Sequence, residues 1–515
     1  MNIKQISPPP SRGRKSKCII SESKLKSWYQ KKFIVPLTVS FKSSLDPWQI
    51  AKYVLGKNKY AFFLDSVRYQ EKTGRYSYLG WDPFQIFKTH KSAGIILKLR
   101  NLLGPYRGRK WPKLPFFTGG AVGYFSYELA HAFERLPDLA RDDLHLDPVF
   151  LLLVRDLLVF DHKENTYFLI SNLIPSEDGI FEKAFGKAVK QVEEMCSLLH
   201  QVSSPLWGED KGEGKSLLAP TLSQRGRGNG LRMTSNGQVQ IRNFRADISK
   251  RKFKQMVLKT KKYIEAGDIY QANLSQRFSF HVTGAAEAVY ETLREINPSP
   301  FSSFLKMGSL TVASASPERL IRLNGRICET RPIAGTKPRG KTMAEEQHVK
   351  RELMMSPKER AEHIMLVDLE RNDLGRVSEP NSVSVDELMT LESYSHVVHI
   401  VSNISGRLKK DCDRFDLLEA VFPGGTITGC PKIRSMEIIE EIEPFKRHLY
   451  TGSIGYLDFN GDLDLNIVIR SLILKEHKGY LQVGAGIVYD SNPESEYWET
   501  LHKGKALIDA LSAYA

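Results

Sequence analysis

The first half of the sequence alternates short apolar segments with turn residues, a pattern typical of β-strands. Between residues 34 and 199, Gly, Pro and Asp bound predicted strands at 61–65, 76–79, 95–99, 119–124, 150–160 and 167–171. The longest apolar run, 149–160, is interrupted by Arg155 and Asp156 and predicts one buried strand. Apolar residues then recur every three or four positions over 181–199, which predicts an amphipathic helix.

The composition changes after this helix. Residues 201–240 are rich in Gly, Ser and charge and poor in aliphatic side chains, as linkers and flexible surface inserts are. A length of 515 residues agrees with two domains or one large composite domain. We expect a basic, disordered extension at 1–33, an N-terminal domain at 34–200, a linker or flexible insert at 201–245 and a second domain at 246–515.

The second half mixes helical and strand patterns without the regularity of βαβ units. The pattern predicts helices at 249–266, 358–369, 434–442 and 493–511. It predicts strands at 276–281, 304–305, 310–313, 321–323, 453–459, 465–474 and 479–483. The fold class expected from this arrangement is α+β, with large antiparallel sheets layered with helices.

Composition narrows the class of protein. With 41% hydrophobic and 26% charged residues the chain has a globular composition, and no segment approaches the roughly 18–20 apolar residues of a membrane span. The five cysteines are scattered and lack CxxC spacing, which argues against a disulfide framework or zinc site and predicts a cytoplasmic location. Cys430 lies in a glycine-rich loop, where a packed small residue is favoured over a reactive thiol.

The net charge is +15, from 74 basic and 59 acidic residues. Eight of the basic residues lie between Arg12 and Lys32, against the single acid Glu22. No helix-turn-helix, RNP or zinc-finger pattern follows this stretch, so we expect no nucleic-acid partner. We interpret it as a disordered extension, with a transit peptide as the alternative. The remaining excess of positive charge suits an anionic small substrate.

Two predicted helices carry carboxylates that are candidate metal ligands. Glu496, Glu499 and Lys503 project within about 60° of one another on the last helix, because a helix turns about 100° per residue. That spacing alone favours a solvated Glu/Lys face. Glu362 lies at the edge of the unusually apolar helix at 358–369, and together with Glu499 it offers the oxygen ligands that Mg²⁺ prefers.

Two loops of small residues are candidate anion-binding segments. In 422–439 a glycine-rich loop leads into a helix, and Lys432 and Arg434 add positive charge. Residues 484–491, GAGIVYDS, follow a predicted strand and permit close backbone approach by a ligand. A tight turn explains either loop equally well.

Further candidates for acid–base chemistry lie in SASPERL and HVVHIVSNISG. Glu318 ends a predicted strand, and a carboxyl group in a partly apolar pocket can stay protonated near neutrality and act as a general acid. His399 can assist or orient a substrate, although a histidine considered alone is more often structural.

Taken together, these segments resemble the chorismate-utilising enzymes. The resemblance spans residues 61–505 and is densest after 249. It rests on GDIYQANLSQRF, SASPERL, RPIAGTKPRG, ERAEHIMLVDLERNDLGRV, FPGGTITGCPK, GSIGYLDF, DLDLNIVIRS, GAGIVYDS and EYWET, in that order. Members of the family include anthranilate, aminodeoxychorismate, isochorismate and salicylate synthases, and the resemblance implies their anthranilate synthase component I-like fold.

The resemblance also implies chorismate as substrate, Mg²⁺ as cofactor and roles for individual residues. Glu362 and Glu499 would bind the metal, with Glu496 close by. Glu318 would be the general acid for departure of the C4 hydroxyl, with His399 beside it. The positions implied to hold the substrate are Gly335, Thr336, Tyr450, Arg470, Gly484, Ala485, Gly486 and Lys503.

Within the family, the sequence favours an aminating enzyme. Gln271 stands where the isochorismate and salicylate branch has a water-activating lysine, which points to ammonia as nucleophile. FLDS, YQANLSQRF, NPSPFSSFL and PGGTITG favour 4-amino-4-deoxychorismate, for para-aminobenzoate and folate synthesis, over anthranilate, for tryptophan synthesis. Ala334 favours anthranilate, because many C4-aminating enzymes have a proposed nucleophilic lysine at that position.

Two further expectations concern partners. The sequence lacks the G-x-C-x-G nucleophile elbow of a glutamine amidotransferase, so a separate glutaminase subunit is expected to supply ammonia. Ser66, Pro300 and Phe301 resemble a tryptophan pocket, for which a packed interface is the alternative. A non-catalytic metabolite-binding subunit is a third reading of the chain, and the full set of acidic residues and His399 argues against it.

Overall fold

Two large antiparallel sheets form the framework of the protein, and helices pack on the outer side of each. The computed structural model describes residues 17–67, 73–203, 239–340, 342–393 and 397–514. Of the predicted extension and linker, residues 1–16 and 204–238 therefore lie outside the described residues.

The strands of the described residues are β1 (Lys17–Cys18), β2 (Val35–Lys42), β3 (Tyr60–Asp65), β4 (Tyr76–Trp81), β5 (Gln85–Thr89), β6 (Gly120–Phe125), β7 (Val149–Val154), β8 (Asp156–Asp161), β9 (Thr166–Leu173), β10 (Gln240–Ala246), β11 (Gln271–Thr283), β12 (Phe301–Met307), β13 (Leu310–Ser316), β14 (Arg319–Asn324), β15 (Ile327–Arg331), β16 (Ile333–Pro338), β17 (Ser384–Ser393), β18 (Val397–Arg407), β19 (Gly429–Cys430), β20 (Ser453–Asp458), β21 (Leu463–Asn466), β22 (Ser471–Lys475) and β23 (Lys478–Ile487). The helices are α1 (Glu22–Gln30), α2 (Pro47–Lys57), α3 (Ile95–Leu103), α4 (Pro175–Asp178), α5 (Phe181–Ser203), α6 (Lys250–Glu265), α7 (Ala286–Ile296), α8 (Met343–Met355), α9 (Pro357–Gly375), α10 (Arg414–Val421), α11 (Lys432–Ile442) and α12 (Pro493–Ser512).

The first sheet has the strand order β1-β2-β9-β8-β4-β3-β12-β13-β22-β23-β11-β10, with β19 paired to β11. The second has the order β16-β18-β15-β14-β21-β20-β6-β7-β5, with β17 paired to β18. Each sheet takes strands from both sides of the 204–238 segment, through the antiparallel pairs β3–β12 and β6–β20. The two stretches of chain thus share both sheets, and the domain boundaries expected from composition stay a prediction.

Strand pleating explains how the layers are filled, because alternate side chains point to opposite faces of a sheet. In β3, Ala61 and Phe63 pack toward the helices, whereas Phe62 enters a cluster between the two sheets. In β6, Ala121 packs on the helical side of the second sheet, and Val122 joins the same central cluster. Helices α2, α5, α7 and α12 contact the first sheet, and α9 and α10 contact the second. The predicted α+β class with large antiparallel sheets is confirmed.

Several long predicted helices agree with the structure to within a few residues. The predictions at 181–199, 249–266 and 493–511 correspond to α5, α6 and α12. Asn492 caps α12 by accepting hydrogen bonds from two backbone N–H groups, and Pro493 occupies its first turn. Ser249 caps α6 in the same way.

Two predicted strands are each divided between the sheets. The run 149–160 forms β7 in the second sheet and β8 in the first, and the chain crosses at Arg155, whose buried guanidinium pairs with Asp178 at 2.7 Å. The predicted strand at 465–474 likewise becomes β21 and β22. Arg470 ends that crossing with φ 52°, a conformation that non-glycine residues rarely adopt.

Three further expectations differ from the structure. Residues 95–103 form helix α3 instead of a strand at 95–99, because Ile95, Leu99 and Leu103 are buried at a helical spacing of four. Within the extension expected at 1–33, residues 17–33 contain β1 and α1, since Leu25 and Tyr29 give that helix a buried face. Near the end of the predicted linker, residues 240–246 form β10.

A buried ion pair just after α11 connects the glycine-rich loop before that helix to β11. The Arg447 guanidinium is 2% exposed and binds Glu443 through two hydrogen bonds of 2.9 and 2.7 Å. It also donates to the carbonyl of Ile427 at 2.9 Å, and Glu443 accepts from the backbone and hydroxyl of Ser275. Removing one partner of such a pair leaves the other charge buried without compensation.

We therefore expect Arg447→Met to lower the free energy of unfolding by about 3–5 kcal/mol. Equilibrium urea denaturation of the full chain measures the change. The control is Arg371→Met, which removes an exposed ion pair with Asp368 and is expected to cost about 0.5 kcal/mol or less. Equal losses in the two variants would contradict the role given to the buried pair.

Candidate active site

Glu318 lies where the chain passes from the first sheet to the second, between β13 and β14. Its side chain is 4% exposed, and Oε1 accepts a hydrogen bond of 3.3 Å from the backbone N–H of Ile333. Burial raises the pKa of Glu318 to about 7, against the lowering effects of the Thr426 hydroxyl, the Ile333 amide and the charge of Arg470. The carboxyl group can therefore hold a proton near neutrality, as a general acid requires.

His399 lies opposite Thr336 in the pairing of β18 with β16. Thr336 Oγ1 and His399 Nδ1 are 2.7 Å apart in a hydrogen bond. Burial, followed by the nearby positive charge of Arg470, lowers the pKa of His399 to about 3. The imidazole is thus neutral at physiological pH and suited to orienting a substrate, while Glu318 is the group able to donate a proton.

Gly335 precedes Thr336 and adopts a positive φ of 74°. A side chain there would also be obstructed, because a Cβ would lie 2.9 Å from Oε2 of Glu359. Glu359 lies one turn before Glu362 on α9 and was missed among the sequence candidates. Its i, i+3 spacing from Glu362 was the signal that could have found it.

Glu362 is half-buried on α9 and accepts a hydrogen bond of 3.0 Å from Nε2 of Gln271. Burial and then repulsion by Glu359 raise the pKa of Glu362, while the Gln271 amide and the charge of Lys503 lower it. Gln271 therefore pairs with a candidate metal ligand, at a position where the resemblance expects a water-activating lysine in other branches of the family. A neutral amide at that position cannot accept a proton from water.

Glu496 and Glu499 differ in their surroundings although they share one face of α12. Glu496 is 7% exposed, and its Oε2 is buried without a hydrogen-bond partner among the described residues. The pKa of Glu496 is raised, and burial is the largest cause. The charge of Glu499 also raises it, whereas the Ser491 hydroxyl lowers it. Glu499 is about half exposed and pairs with Lys503 at 2.8 Å.

Charges on helices α9 and α12 act on the same carboxylates. The charges of Lys358, on α9, and Lys503, on α12, each lower the pKa of both Glu362 and Glu496. Lys503 also lowers the pKa of Glu318. Lys503 therefore lies within electrostatic reach of the predicted acid and of all three predicted metal ligands.

The donor set suits a hard divalent cation. Carboxylate oxygens are the ligands Mg²⁺ prefers, and the unpartnered Oε2 of Glu496 and the mutual repulsion of Glu496 and Glu499 would both be relieved by a cation. The oxygen atoms of Glu362, Glu496 and Glu499 are not all within 4.8 Å of one another. In the described part of the chain, one ligand atom each from His131, Asp138 and Glu440 lie that close together. The metal roles of Glu362, Glu496 and Glu499 stay a prediction.

Gly484, Ala485 and Gly486 lie on β23, which pairs with β11 and leaves space for neighbouring side chains. A Cβ at Gly484 would be 2.5 Å from the Tyr450 hydroxyl and 2.8 Å from the backbone oxygen of Leu274. A Cβ at Gly486 would be 2.4 Å from Nε2 of Gln271. The structure thus brings Tyr450 and Gln271 against the predicted substrate-binding strand.

The loop at 422–432 differs from the expected anion site. Lys432 donates to Asp373 at 2.5 Å and to two backbone carbonyls, and Arg434 pairs with Asp268 and Glu437. These cations are used within the fold, so the expectation that they add charge for a ligand is wrong. Sequence position alone did not reveal their acidic partners.

Ser66, Pro300 and Phe301 line one cavity of about 410 Å³ together with charged residues of the second sheet. The Ser66 hydroxyl donates to the carbonyl of Tyr76 at 2.9 Å, and its backbone N–H donates to Ser77. Arg319 in the wall pairs with Asp464 at 3.0 Å. The structure brings the three predicted residues together, and a tryptophan ligand stays a prediction.

The described residues contain no helix that is both long and apolar enough to cross a bilayer.

Comparison with known proteins identifies similar chains. A family model described as chorismate binding enzyme matches residues 64–509. Anthranilate synthase component 1 of Acetivibrio thermocellus is 40% identical over 494 residues, covering 93% of this chain and 95% of that protein. Aminodeoxychorismate synthase component 1 of Bacillus subtilis is 40% identical over 467 residues, covering 88% and 92%. The crystal structure of anthranilate synthase component I from Streptococcus pneumoniae superposes with a TM-score of 0.72 at 33% identity, covering 85% of this chain and 93% of that one.

Proposed function

This chain belongs to the chorismate-binding enzymes, and on that premise we propose that it replaces the C4 hydroxyl of chorismate with ammonia to give 4-amino-4-deoxychorismate. The observation that carries departure of the C4 hydroxyl is the buried Glu318, whose pKa near 7 keeps a proton available for it. The motifs FLDS, YQANLSQRF, NPSPFSSFL and PGGTITG favour C4 over C2 as the carbon that is aminated. The product would feed para-aminobenzoate and folate synthesis.

The proposed reaction uses a single acid, Glu318, which regains its proton at the end. Glu318 gives its proton to the C4 oxygen, the C4–O bond breaks and water leaves. The lone pair of ammonia forms the new C–N bond, and the resulting ammonium group returns a proton to the Glu318 carboxylate. Neutral His399, bound to Thr336, orients the substrate without competing as an acid.

Positive charge in the same region suits the two carboxylates of chorismate. Arg470, at the end of the crossing between sheets, acts electrostatically on both Glu318 and His399, and a guanidinium is suited to binding a carboxylate. Lys503 is the second cation, on α12, and its partner Glu499 would turn to the metal ion when the site is loaded. Mg²⁺ held by Glu362, Glu496 and Glu499 would draw electron density toward the ring carboxylate.

Gln271 supports ammonia as the nucleophile, since its amide is committed to Glu362 and is unable to activate water. Ammonia would come from a separate glutamine amidotransferase subunit, because the sequence has no nucleophile elbow of its own. The free thiols of all five cysteines fit a reducing cytoplasm as the place of this complex.

Anthranilate formation is the second candidate. It is favoured by Ala334, a buried residue of β16 that carries no nucleophile, and by 40% identity to an anthranilate synthase component 1. In that reaction the same Glu318 would protonate the C4 hydroxyl, while ammonia would attack C2 and pyruvate would leave.

A product assay separates the two reactions. The purified full chain is incubated with chorismate, ammonium and Mg²⁺, and the products are followed by fluorescence and by liquid chromatography with mass detection. We expect a non-fluorescent product that retains the enolpyruvyl group and yields 4-aminobenzoate and pyruvate only after a lyase is added. Glutamine in place of ammonium is expected to give no product until a glutaminase subunit is present. Direct release of fluorescent anthranilate would refute the proposal in favour of the second candidate.

A further inference from the structure

A second group of potential metal ligands lies outside the candidate active site. His131 lies in the last turn of the short 3-10 helix Tyr127–Ala132, Asp138 follows in the next loop, and Glu440 lies on α11. One ligand atom from each comes within 4.8 Å of the other two. We propose that His131, Asp138 and Glu440 form a structural site for a divalent cation of the zinc class.

Unpartnered polar atoms point to a ligand at this position. Glu440 is 3% exposed, and its Oε2 is buried with no hydrogen-bond partner among the described residues. Nε2 of His131 is buried and likewise lacks a hydrogen-bond partner there. Leaving such groups unsatisfied costs free energy, which a bound cation would recover.

The separation of the ligand atoms fits a bound ion better than a direct contact. His131 Nε2 and Glu440 Oε1 are 3.7 Å apart, which is too long for a hydrogen bond. Zinc binds imidazole nitrogen and carboxylate oxygen at about 2.0–2.2 Å, so one ion spans a gap of this size. An imidazole with two carboxylates also favours zinc-class ions over Mg²⁺, which prefers oxygen ligands throughout.

The backbone around the site is held in place. Arg141 forms a parallel bridge with Phe445, and its N–H donates to the carbonyl of Pro444 at 3.1 Å. The N–H of Lys446 returns a hydrogen bond to Arg141 at 3.1 Å. The loop that carries Asp138 is therefore fixed beside the end of α11, and a metal ion would join parts of the chain some 300 residues apart in sequence.

Lys446 is the competing cation. Its Nζ lies 2.9 Å from Asp138 Oδ1, and this contact lowers the pKa of Asp138. Asp138 is largely exposed, so its side chain can turn from Lys446 to a metal ion without disturbing the core. The proposal therefore requires that removing the lysine charge strengthens metal binding.

Calorimetric titration of the full chain with Zn²⁺, in a buffer with excess Mg²⁺, tests the site independently of catalysis. We expect one tight site in the unsubstituted protein and a dissociation constant raised about tenfold or more in His131→Ala and Glu440→Gln, since loss of even an outer-shell partner costs about 10–100-fold. Asp138→Asn should weaken binding, and Lys446→Met should tighten it. The matched control is His90→Ala, which removes an exposed histidine paired with the single carboxylate of Asp147.

A second readout uses Co²⁺ as the probe, because the visible absorption of this ion reports bound imidazole and coordination geometry. The band should appear in the unsubstituted protein and in His90→Ala and be lost in His131→Ala. If Glu440→Gln does not fold, the test rests on Asp138→Asn and Lys446→Met, both at the rim of the site. Zn²⁺ should bind more weakly to the first variant and more tightly to the second. Absence of tight Zn²⁺ binding, or equal weakening by His90→Ala and His131→Ala, would overturn the proposal.

Discussion

Replacing Glu318 with glutamine is expected to lower the turnover number for chorismate by about 10²–10⁴-fold, the usual contribution of a general acid. The amide has nearly the same shape and can still accept the hydrogen bond from Ile333, but it has no proton to give. Chorismate binding should change little, so the loss should appear in kcat. Steady-state kinetics with ammonium and chorismate, and direct measurement of the chorismate dissociation constant, separate the two effects.

The pH dependence of kcat/KM is a second test of the role of Glu318. Glu318 acts in its protonated form and its pKa is about 7, so kcat/KM is expected to fall as the pH rises through about 7. The profile of the small residual activity of Glu318→Gln should lack that step. A matched control is Asp458→Asn, because burial also raises the pKa of Asp458 to about 7 on β20. Loss of the step in Asp458→Asn alone would contradict the assignment to Glu318.

The expected loss of activity in Glu318→Gln does not arise from unfolding of the chain. The pKa of Glu318 is higher in the folded chain than its ordinary value of 4.5, so the folded state binds more protons than the unfolded state between these values. Its contribution to stability therefore falls as the pH rises from about 4.5 to 7. A neutral glutamine avoids the cost of a buried charge, and Glu318→Gln should be as resistant to urea at neutral pH as the unsubstituted chain.

The sequence predicted those features that depend on local pattern or on motifs in a fixed order. The periodic pattern at 493–511 predicts helix α12, and the order of motifs predicts Glu318, Thr336 and His399 as parts of one site. Their contacts arise from pairing of β16 with β18 and from a crossing between sheets, which no local pattern encodes. The motifs shared with the chorismate-utilising enzymes, and not any local pattern, predict that these distant residues lie together.

The features missed are those set by partners distant in sequence. Arg155 divides an apolar run because its guanidinium has a buried partner in Asp178, and that partner is invisible in a pattern of hydrophobicity. Lys432 is predicted to bind an anion because its partner Asp373 lies on α9, about 60 residues away in the sequence. The 95–99 segment is a short apolar run near turn residues, which predicts a strand, although the period of four that continues to Leu103 decides for a helix.

The second large effect concerns the proposed Mg²⁺ ligands. Glu362→Ala and Glu499→Ala are each expected to lower kcat/KM by about 10³-fold, because a Lewis-acid metal contributes several kcal/mol of transition-state stabilisation. Glu362 is half-buried and Glu499 about half exposed, so neither variant opens a core cavity and the chain itself should remain folded. Activity measured over a series of Mg²⁺ concentrations is the test, with circular dichroism to verify folding.

Glu494→Ala is the matched control for this prediction. Glu494 lies on α12, as Glu499 does, and its carboxylate pairs with Lys250 and Lys254 on the side facing α6. Its removal should leave the Mg²⁺ dependence unchanged, because those contacts hold two helices together and lie apart from Glu362. If Glu362→Ala and Glu499→Ala both retain the Mg²⁺ response of the unsubstituted enzyme, the carboxylates of α9 and α12 do not share a metal. If only Glu499→Ala retains it, the half-buried Glu362 and the unpartnered Oε2 of Glu496 are the pair that binds the ion.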